Sequence, residues 1–244
     1  MVRIVDSPSQ PSAWRRLLEA GVVAGLAFLA VVPYLHYLTR VAFSDVAKRR
    51  FAGVPLTRVL EADLALVGVL VAICAVSGSL LARRYGLAGL GSVGQLRAAQ
   101  RWTVPGGAGL CVVTYLLFGR HLARRVPGYY PASIGWAAVV LVKGMLFDET
   151  VARFGVMTIL AGAVRRAWIA NLLQAALFTW LTLRGLPFFG IELQWSGELG
   201  ASLVASVLAH LGQGWVYCRY GLITSSSMHG LVDLKYPLHA LLTL

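Results

Sequence analysis

Acidic residues are scarce in this chain, where Asp and Glu together number 10 among 244 residues, against 22 Lys and Arg. Charged residues of both signs make up only 13% of the sequence, well below the roughly 25% that is typical of soluble domains. Hydrophobic residues reach 58%, and the mean hydropathy is +0.71. These values exclude an ordinary water-soluble domain and indicate an integral membrane protein.

Cysteine is also rare, and its placement excludes two further classes. Cys74, Cys111 and Cys218 each fall in an apolar segment and form no CxxC pair. A disulfide framework or a cysteine zinc site is therefore not expected, and we interpret the three as small core residues. The sequence also has no HExxH pattern.

The formal net charge of +12 does not indicate a nucleic-acid-binding protein. The basic residues cluster at the ends of apolar segments, at Arg15-Arg16, Lys48-Arg49-Arg50, Arg83-Arg84, Arg124-Arg125 and Arg165-Arg166. Membrane proteins meet anionic headgroups in this way. Because no basic face lies outside these flanks, we expect a lipid bilayer as partner and no nucleic acid.

Apolar runs predict the fold class. A window of about 19 residues places membrane helices near 17–38, 62–82, 104–119, 133–163, 168–184, 198–218 and 221–244. We therefore predict an all-α, multi-pass transmembrane bundle of about six to eight helices, forming one domain over residues 1–244. The first run is too long for a signal sequence and is interpreted as a retained helix.

Three segments have less regular patterns. Residues 39–61 alternate basic and apolar side chains and suggest an amphipathic stretch on the membrane surface. Residues 85–103 indicate a loop followed by a short surface helix. The run 133–163 is too long for one straight crossing, so we expect it to cross to about Arg153 and continue along the interface, or to tilt strongly.

The most informative feature is an acidic pair inside this longest run. Asp148 and Glu149 are followed by Arg153, and charges in a bilayer cost several kcal/mol unless they are paired or hydrated. Glu149 and Arg153 are four residues apart, which predicts an ion pair on one helical face. Asp148 lies about 100° round the helix and has no evident local partner, so we expect it to face a cavity. Lys143, five residues before Asp148, is placed either to snorkel or to neutralise a carboxylate. A purely structural role for the Glu149–Arg153 pair is the alternative.

Two later segments add ionisable residues. His229 and Asp233 are four apart, so the carboxylate can fix the imidazole tautomer, or both can point at one ligand. His210 lies among small and apolar residues one predicted helix earlier. It suits either a hydrogen bond between helices or chemistry.

The segment from Asp148 to Gly155, Asp-Glu-x-x-x-Arg-Phe-Gly, resembles the Glu-Glu-x-x-x-Arg-x-Gly first motif of the CPBP family. This family of intramembrane proteases includes the CAAX prenyl endopeptidases and bacteriocin-processing proteins. His229-x-x-x-Asp233 resembles its closing His-x-x-x-Asn/Asp motif, and residues 214–222 resemble the junction between its last two core helices. The resemblance covers roughly residues 130–240, which implies a catalytic core there, preceded by N-terminal helices and surface segments over 1–130.

Two positions depart from the family pattern. The first acidic residue, usually Glu, is Asp148, which is one methylene shorter. The second motif, Phe-x-x-x-His, aligns with Phe178 to Thr182, which places Thr182 where the histidine belongs. His210 sits on the following predicted helix and replaces it in space only if that helix turns His210 toward the acidic pair.

The resemblance implies an intramembrane endopeptidase acting on a membrane-associated or lipid-modified protein or peptide, in the cytoplasmic membrane of a prokaryote. Asp148 or Glu149 would activate water, a role to which a low-dielectric cavity suits a carboxylate. Arg153 would orient Glu149, His229 would serve the oxyanion, and Asp233 would position His229 or stay protonated. No covalent nucleophile is implied.

Three alternatives stay open. The missing second-motif histidine favours an inactive binding or scaffold protein on the same fold. The buried ions suit a transporter, although the chain has no repeated halves. No cofactor is implied, but a divalent metal ion is compatible with the ligand types of Asp148, Glu149, His210, His229 and Asp233.

Overall fold

The computed structural model of this protein describes residues 12–119, 130–185 and 197–243, and within these ranges it is all-α, with eight helices and no strand. The first four are α1 (Ala13–Tyr37, continued by a wider π-helical turn, Leu38–Ala42), α2 (Ser44–Arg50), α3 (Leu56–Leu81) and α4 (Val93–Thr114, continued by the π-helical turn Tyr115–Gly119). The fifth, α5, runs through Ile134–Lys143, Gly144–Asp148, Thr150–Met157 and Thr158–Val164. The last three are α6 (Ala167–Gly185), α7 (Gly197–Tyr220) and α8 (Leu222–Asp233, continued by Lys235–Leu242).

Local sequence signals set several helix ends. Ser12, Ser92 and Ser133 precede α1, α4 and α5, and each hydroxyl accepts the backbone N–H three residues later. Serine caps satisfy one of the amide groups that the first turn of a helix leaves without a partner. At the other end of α5, Arg165 takes a left-handed conformation with φ of 54° and ends the helix.

The junction between α7 and α8 is held by a glycine-rich loop. The first two amide groups of α8 donate to the carbonyl oxygens of Gly89 and Leu90, at 2.9 and 3.0 Å. Gly221 has φ of 86°, and a Cβ there would lie 2.6 Å from the Cα of Gly91. Only glycine combines this dihedral with so close a backbone approach. The loop therefore fixes where α8 begins, and with it the position of His229.

Helix α5 lies at the centre of the bundle and contacts α1, α3, α6, α7 and α8. Small residues on α5 allow these close approaches: Ala152 and Ala161 are fully buried, and Gly155 packs against Cys74 of α3. Two of its segments have i→i+5 hydrogen bonding, Gly144–Asp148 and Thr150–Met157. Such widened turns are rare and often occur at functional sites.

The observed helices differ from the sequence predictions in α4. The expected surface helix before 104 and the span 104–119 form this one helix, which accommodates Pro105, because tertiary packing overrides the helix-breaking signal. For the run 133–163, α5 continues through Arg153 to Val164, so of the two alternatives for this run the separate interfacial helix is not observed.

Within the described residues, two helical stretches are long and apolar enough to cross a membrane, Ala13–Ala42 and Leu56–Leu81. The remaining predicted spans fall on α4 to α8, which the structure shows as helices.

Replacing Gly155 with Ala tests the contact between α3 and α5. The added Cβ would lie 2.8 Å from the Cα of Cys74, so the helices must separate. We expect a loss of about 1–3 kcal/mol of stability, measured as a lower Tm. Gly21→Ala in α1 is the control, because a Cβ there meets nothing within 4 Å and Ala favours a helix. Equal Tm values for both variants would contradict this packing.

Candidate functional site

The site is built around the carboxylate of Glu149, which is fully buried on α5. Arg153, also fully buried, places Nη1 3.0 Å from Glu149 Oε1, so the ion pair predicted from the spacing is present. The same oxygen lies 2.7 Å from His229 Nδ1 of α8, and Ser225 of α8 donates its hydroxyl to Oε2. Both oxygens of Glu149 are therefore occupied by donors.

Arg153 also reaches α7. Its Nη2 donates to Gln213 Oε1 at 2.6 Å and lies 2.9 Å from His210 Nδ1. Because a guanidinium can only donate, Nδ1 of His210 must act as the acceptor and carry no proton. His210 is then a neutral imidazole whose N–H is Nε2, held in this tautomer by Arg153.

His229 bridges two carboxylates. Its Nδ1 faces Glu149, and its Nε2 lies 3.4 Å from Asp233 Oδ2. Asp233 Oδ1 in turn accepts from Lys235 Nζ at 2.6 Å. Both ring nitrogens can donate only when the ring is an imidazolium. In this arrangement Nδ1 of His229 is not available to an oxyanion and Nε2 is directed toward Asp233, which differs from the role that the resemblance implies.

Asp148 faces the cavity, as expected, but it has a partner. Lys143 Nζ donates to Asp148 Oδ2 at 2.8 Å. The two residues are five apart, and the widened turn Gly144–Asp148 brings them onto one side of α5. No described residue donates a hydrogen bond to the second oxygen, Oδ1. The prediction that Asp148 lacks a local partner is thus wrong for one oxygen only.

A cavity of about 280 Å³ lies beside Asp148, Arg153, His210 and His229. It is lined by side chains from five helices, among them Tyr34, Lys143, Asp148, Arg153, Thr182, His210, His229, Asp233 and Tyr236. An adjoining cavity of about 170 Å³ shares Thr182, His210, His229 and Asp233 with it. Glu149 does not line either cavity.

The structure places both Thr182 and His210 on this cavity. The Thr182 hydroxyl donates to the backbone carbonyl of Phe178 at 2.9 Å, one turn earlier on α6. The ring of His210 lies beside Phe178, with 6.1 Å between the ring centroids. A histidine from α7 therefore lies close to Phe178 of α6, which aligns with the start of the family's second motif in the resemblance.

Sequence reasoning missed Ser225, Gln213 and Tyr34. Ser225 precedes His229 by four residues and so shares its helical face, and Gln213 follows His210 by three. These spacings could have indicated the first two. Nothing in the local sequence connects Tyr34 of α1 with α5, because only the packing of the two helices brings them together.

No metal-binding group emerges from the described ranges, since no three His, Cys, Asp or Glu side chains come together there as ligands. Comparison of the chain with protein-family models, curated proteins and solved structures finds no match. Function is therefore inferred from the side chains of this site.

A double-mutant cycle tests the energetic weight of the buried ion pair. Glu149→Gln and Arg153→Met should each cost about 3–5 kcal/mol of unfolding free energy, because each leaves one buried charge without its partner. The double variant should cost clearly less than the sum, as measured by equilibrium unfolding of the purified protein.

The exposed pair Arg58–Glu61, 3.4 Å apart, is the matched control. Removing either or both of its charges should change the stability by at most about 1 kcal/mol. Additive losses at Glu149 and Arg153 would show that the two charges are not coupled.

Proposed function

We propose that this protein is an intramembrane endopeptidase that hydrolyses a peptide bond in a membrane-associated protein or peptide, with Asp148 as the base that activates water. The main support is the cavity itself. It brings a carboxylate with one free oxygen and a neutral histidine, His210, onto one surface. A positioned carboxylate and imidazole are the usual groups for general acid–base catalysis.

The surface of the helices supports a multi-pass arrangement in the membrane. In the most apolar windows of α1 and α3, only 28% and 22% of residues are buried inside the protein. Large apolar side chains are also exposed on later helices, including Val112, Trp168, Leu172, Trp180, Val204, Leu208 and Leu241. Apolar surface on this scale marks contact with lipid or another apolar partner.

The two adjacent carboxylates take different roles in this proposal. Glu149 receives Arg153, His229 and Ser225, lies outside the cavity, and so serves as a positioning residue. Asp148 meets water through Oδ1 and can accept a proton there. Carboxylates with different surroundings commonly divide catalytic roles in this way.

The reaction requires no covalent intermediate. Asp148 takes a proton from water as the water oxygen attacks the peptide carbonyl carbon. The tetrahedral intermediate collapses with cleavage of the C–N bond, and the proton passes from Asp148 to the departing amine. His210, held by Arg153 with Nε2 as its N–H, can hold the water or the substrate carbonyl.

A binding or scaffold protein without protease activity is the second candidate. The observation that favours it is the contact of Lys143 with Asp148, which occupies one oxygen of the proposed base and holds its negative charge in place. Thr182, whose hydroxyl already donates to Phe178, offers no histidine on α6. In this case the cavity would bind a ligand without hydrolysing it.

Asp148→Asn and Glu149→Gln should each abolish cleavage, Asp148→Asn because the base is lost and Glu149→Gln because His229 and Arg153 lose their support. The measurement is a comparison of new protein N-termini in membranes from cells expressing the wild type or a variant. Asp63→Asn on α3 is the control and should keep wild-type cleavage, because Asp63 lies outside both cavities. Undiminished cleavage in both test variants would rule out the proposal.

Paired variants of the two cavity positions separate the roles of His210 and Thr182. We expect His210→Ala to lower the cleavage rate by about 10²–10³-fold, as for loss of one hydrogen-bond donor to the reacting groups. Thr182→Ala should have little effect, because the Thr182 hydroxyl is bound to Phe178. An inert wild type that gains activity through Thr182→His would instead support the scaffold candidate.

A further inference from the structure

Hydrolysis of a peptide bond places negative charge on the carbonyl oxygen, and a site that catalyses it needs a donor for that oxygen. Two of the groups expected to donate are directed elsewhere. Nδ1 of His229 bonds Glu149, its Nε2 lies 3.4 Å from Asp233, and Asp233 is bound by Lys235. The Thr182 hydroxyl donates to Phe178. The Nε2–H of His210 can reach a carbonyl oxygen, but oxyanion sites usually combine two donors. A second donor would come from another part of the cavity.

Tyr34 of α1 meets this need. It lines the same cavity as Asp148 and His210. Its ring lies under the ammonium group of Lys143, 4.5 Å from Nζ to the ring centroid, and the same ammonium group binds the proposed base, Asp148. Its hydroxyl forms no hydrogen bond with any residue in the described part of the chain. An uncommitted O–H in the same cavity as a carboxylate that activates water is suited to bind an oxyanion.

The backbone around Tyr34 is locally irregular. Pro33 lies inside α1 and removes one helical N–H donor, and the π-helical turn Leu38–Ala42 follows. Thr39 donates to the carbonyl of Leu35 at 2.8 Å within this stretch. Distortions of this type re-aim side chains on a helix and often occur at functional sites.

We propose that Tyr34 is a catalytic residue that donates its phenolic O–H to the carbonyl oxygen during hydrolysis. This inference rests on the proposed peptidase function. As the water oxygen bonds to the carbonyl carbon and its proton moves to Asp148, the C=O π pair shifts onto the oxygen that Tyr34 holds. When that pair returns, the C–N bond breaks, and the proton on Asp148 goes to the amine. Tyr34 keeps its own proton throughout.

The test uses the full-length protein and a peptide that contains a cleavage site found by mapping N-termini. Tyr34→Phe removes only the hydroxyl and keeps the ring under Lys143. We expect kcat to fall by about 10²–10³-fold, as for loss of one oxyanion donor, with KM changed little. Tyr85→Phe, which removes a hydroxyl outside the cavity, should keep wild-type kcat and KM.

A second readout distinguishes oxyanion binding from packing. A difluoroketone analogue of the same peptide hydrates to a tetrahedral diol that mimics the intermediate. Its affinity should fall in parallel with kcat in Tyr34→Phe, while the affinity of the uncleaved peptide stays the same.

Unchanged kcat in Tyr34→Phe, or a change in KM alone, would overturn the role of Tyr34 and leave the peptidase proposal standing. Equal losses of peptide and difluoroketone affinity would also overturn it, since they indicate a packing role. A wild-type protein that cleaves nothing would overturn the peptidase function, and the role of Tyr34 with it.

Discussion

The buried carboxylate of Glu149 is the group on which the rest of the structure depends. Removing a charge from water costs several kcal/mol, and the cost is offset only where partners satisfy it fully. Glu149 has three such partners, of which Arg153 belongs to its own helix, and His229 and Ser225 belong to α8. Arg153 extends the network to His210 and Gln213 on α7. Three helices are therefore held in register by one ionic cluster.

This cluster explains why Glu149 cannot act on water while the adjacent Asp148 can. A carboxylate that is paired with a guanidinium and accepts hydrogen bonds from an imidazole and a hydroxyl is held as an anion and has no oxygen free for water. Its neighbour Asp148 meets only Lys143, through one oxygen, and borders the cavity. The difference comes from their directions on α5: one side chain points into the helix interface and the other into open space. Glu149 thus has the structural role, and its neighbour Asp148 has the proposed catalytic role.

The contacts between residues four apart on one helix could be predicted from the sequence, and the contacts between helices could not. Spacings of four residues predict the Glu149–Arg153 ion pair and the approach of His229 to Asp233, and both are present. The Lys143–Asp148 contact depends on a widened turn, which no residue pattern signals. The orientation of α7, which places His210 at the cavity, depends on Gly214. A Cβ at this position would collide with the side-chain amide of Asn171 on α6. Such close approaches are set by packing of the whole bundle.

Because His210 is held by Arg153, a substitution in the ion pair affects both the stability of the fold and the state of this histidine. A histidine on α6 would be oriented by its own helix, but His210 is oriented by Arg153, the same guanidinium that balances Glu149. Loss of Glu149 would free Arg153 to move, and the tautomer of His210 would no longer be fixed. The Glu149–Arg153 ion pair that holds the helices together therefore also fixes the tautomer and orientation of His210. In such a site the stability of the fold and the readiness of the proposed catalytic groups cannot vary independently.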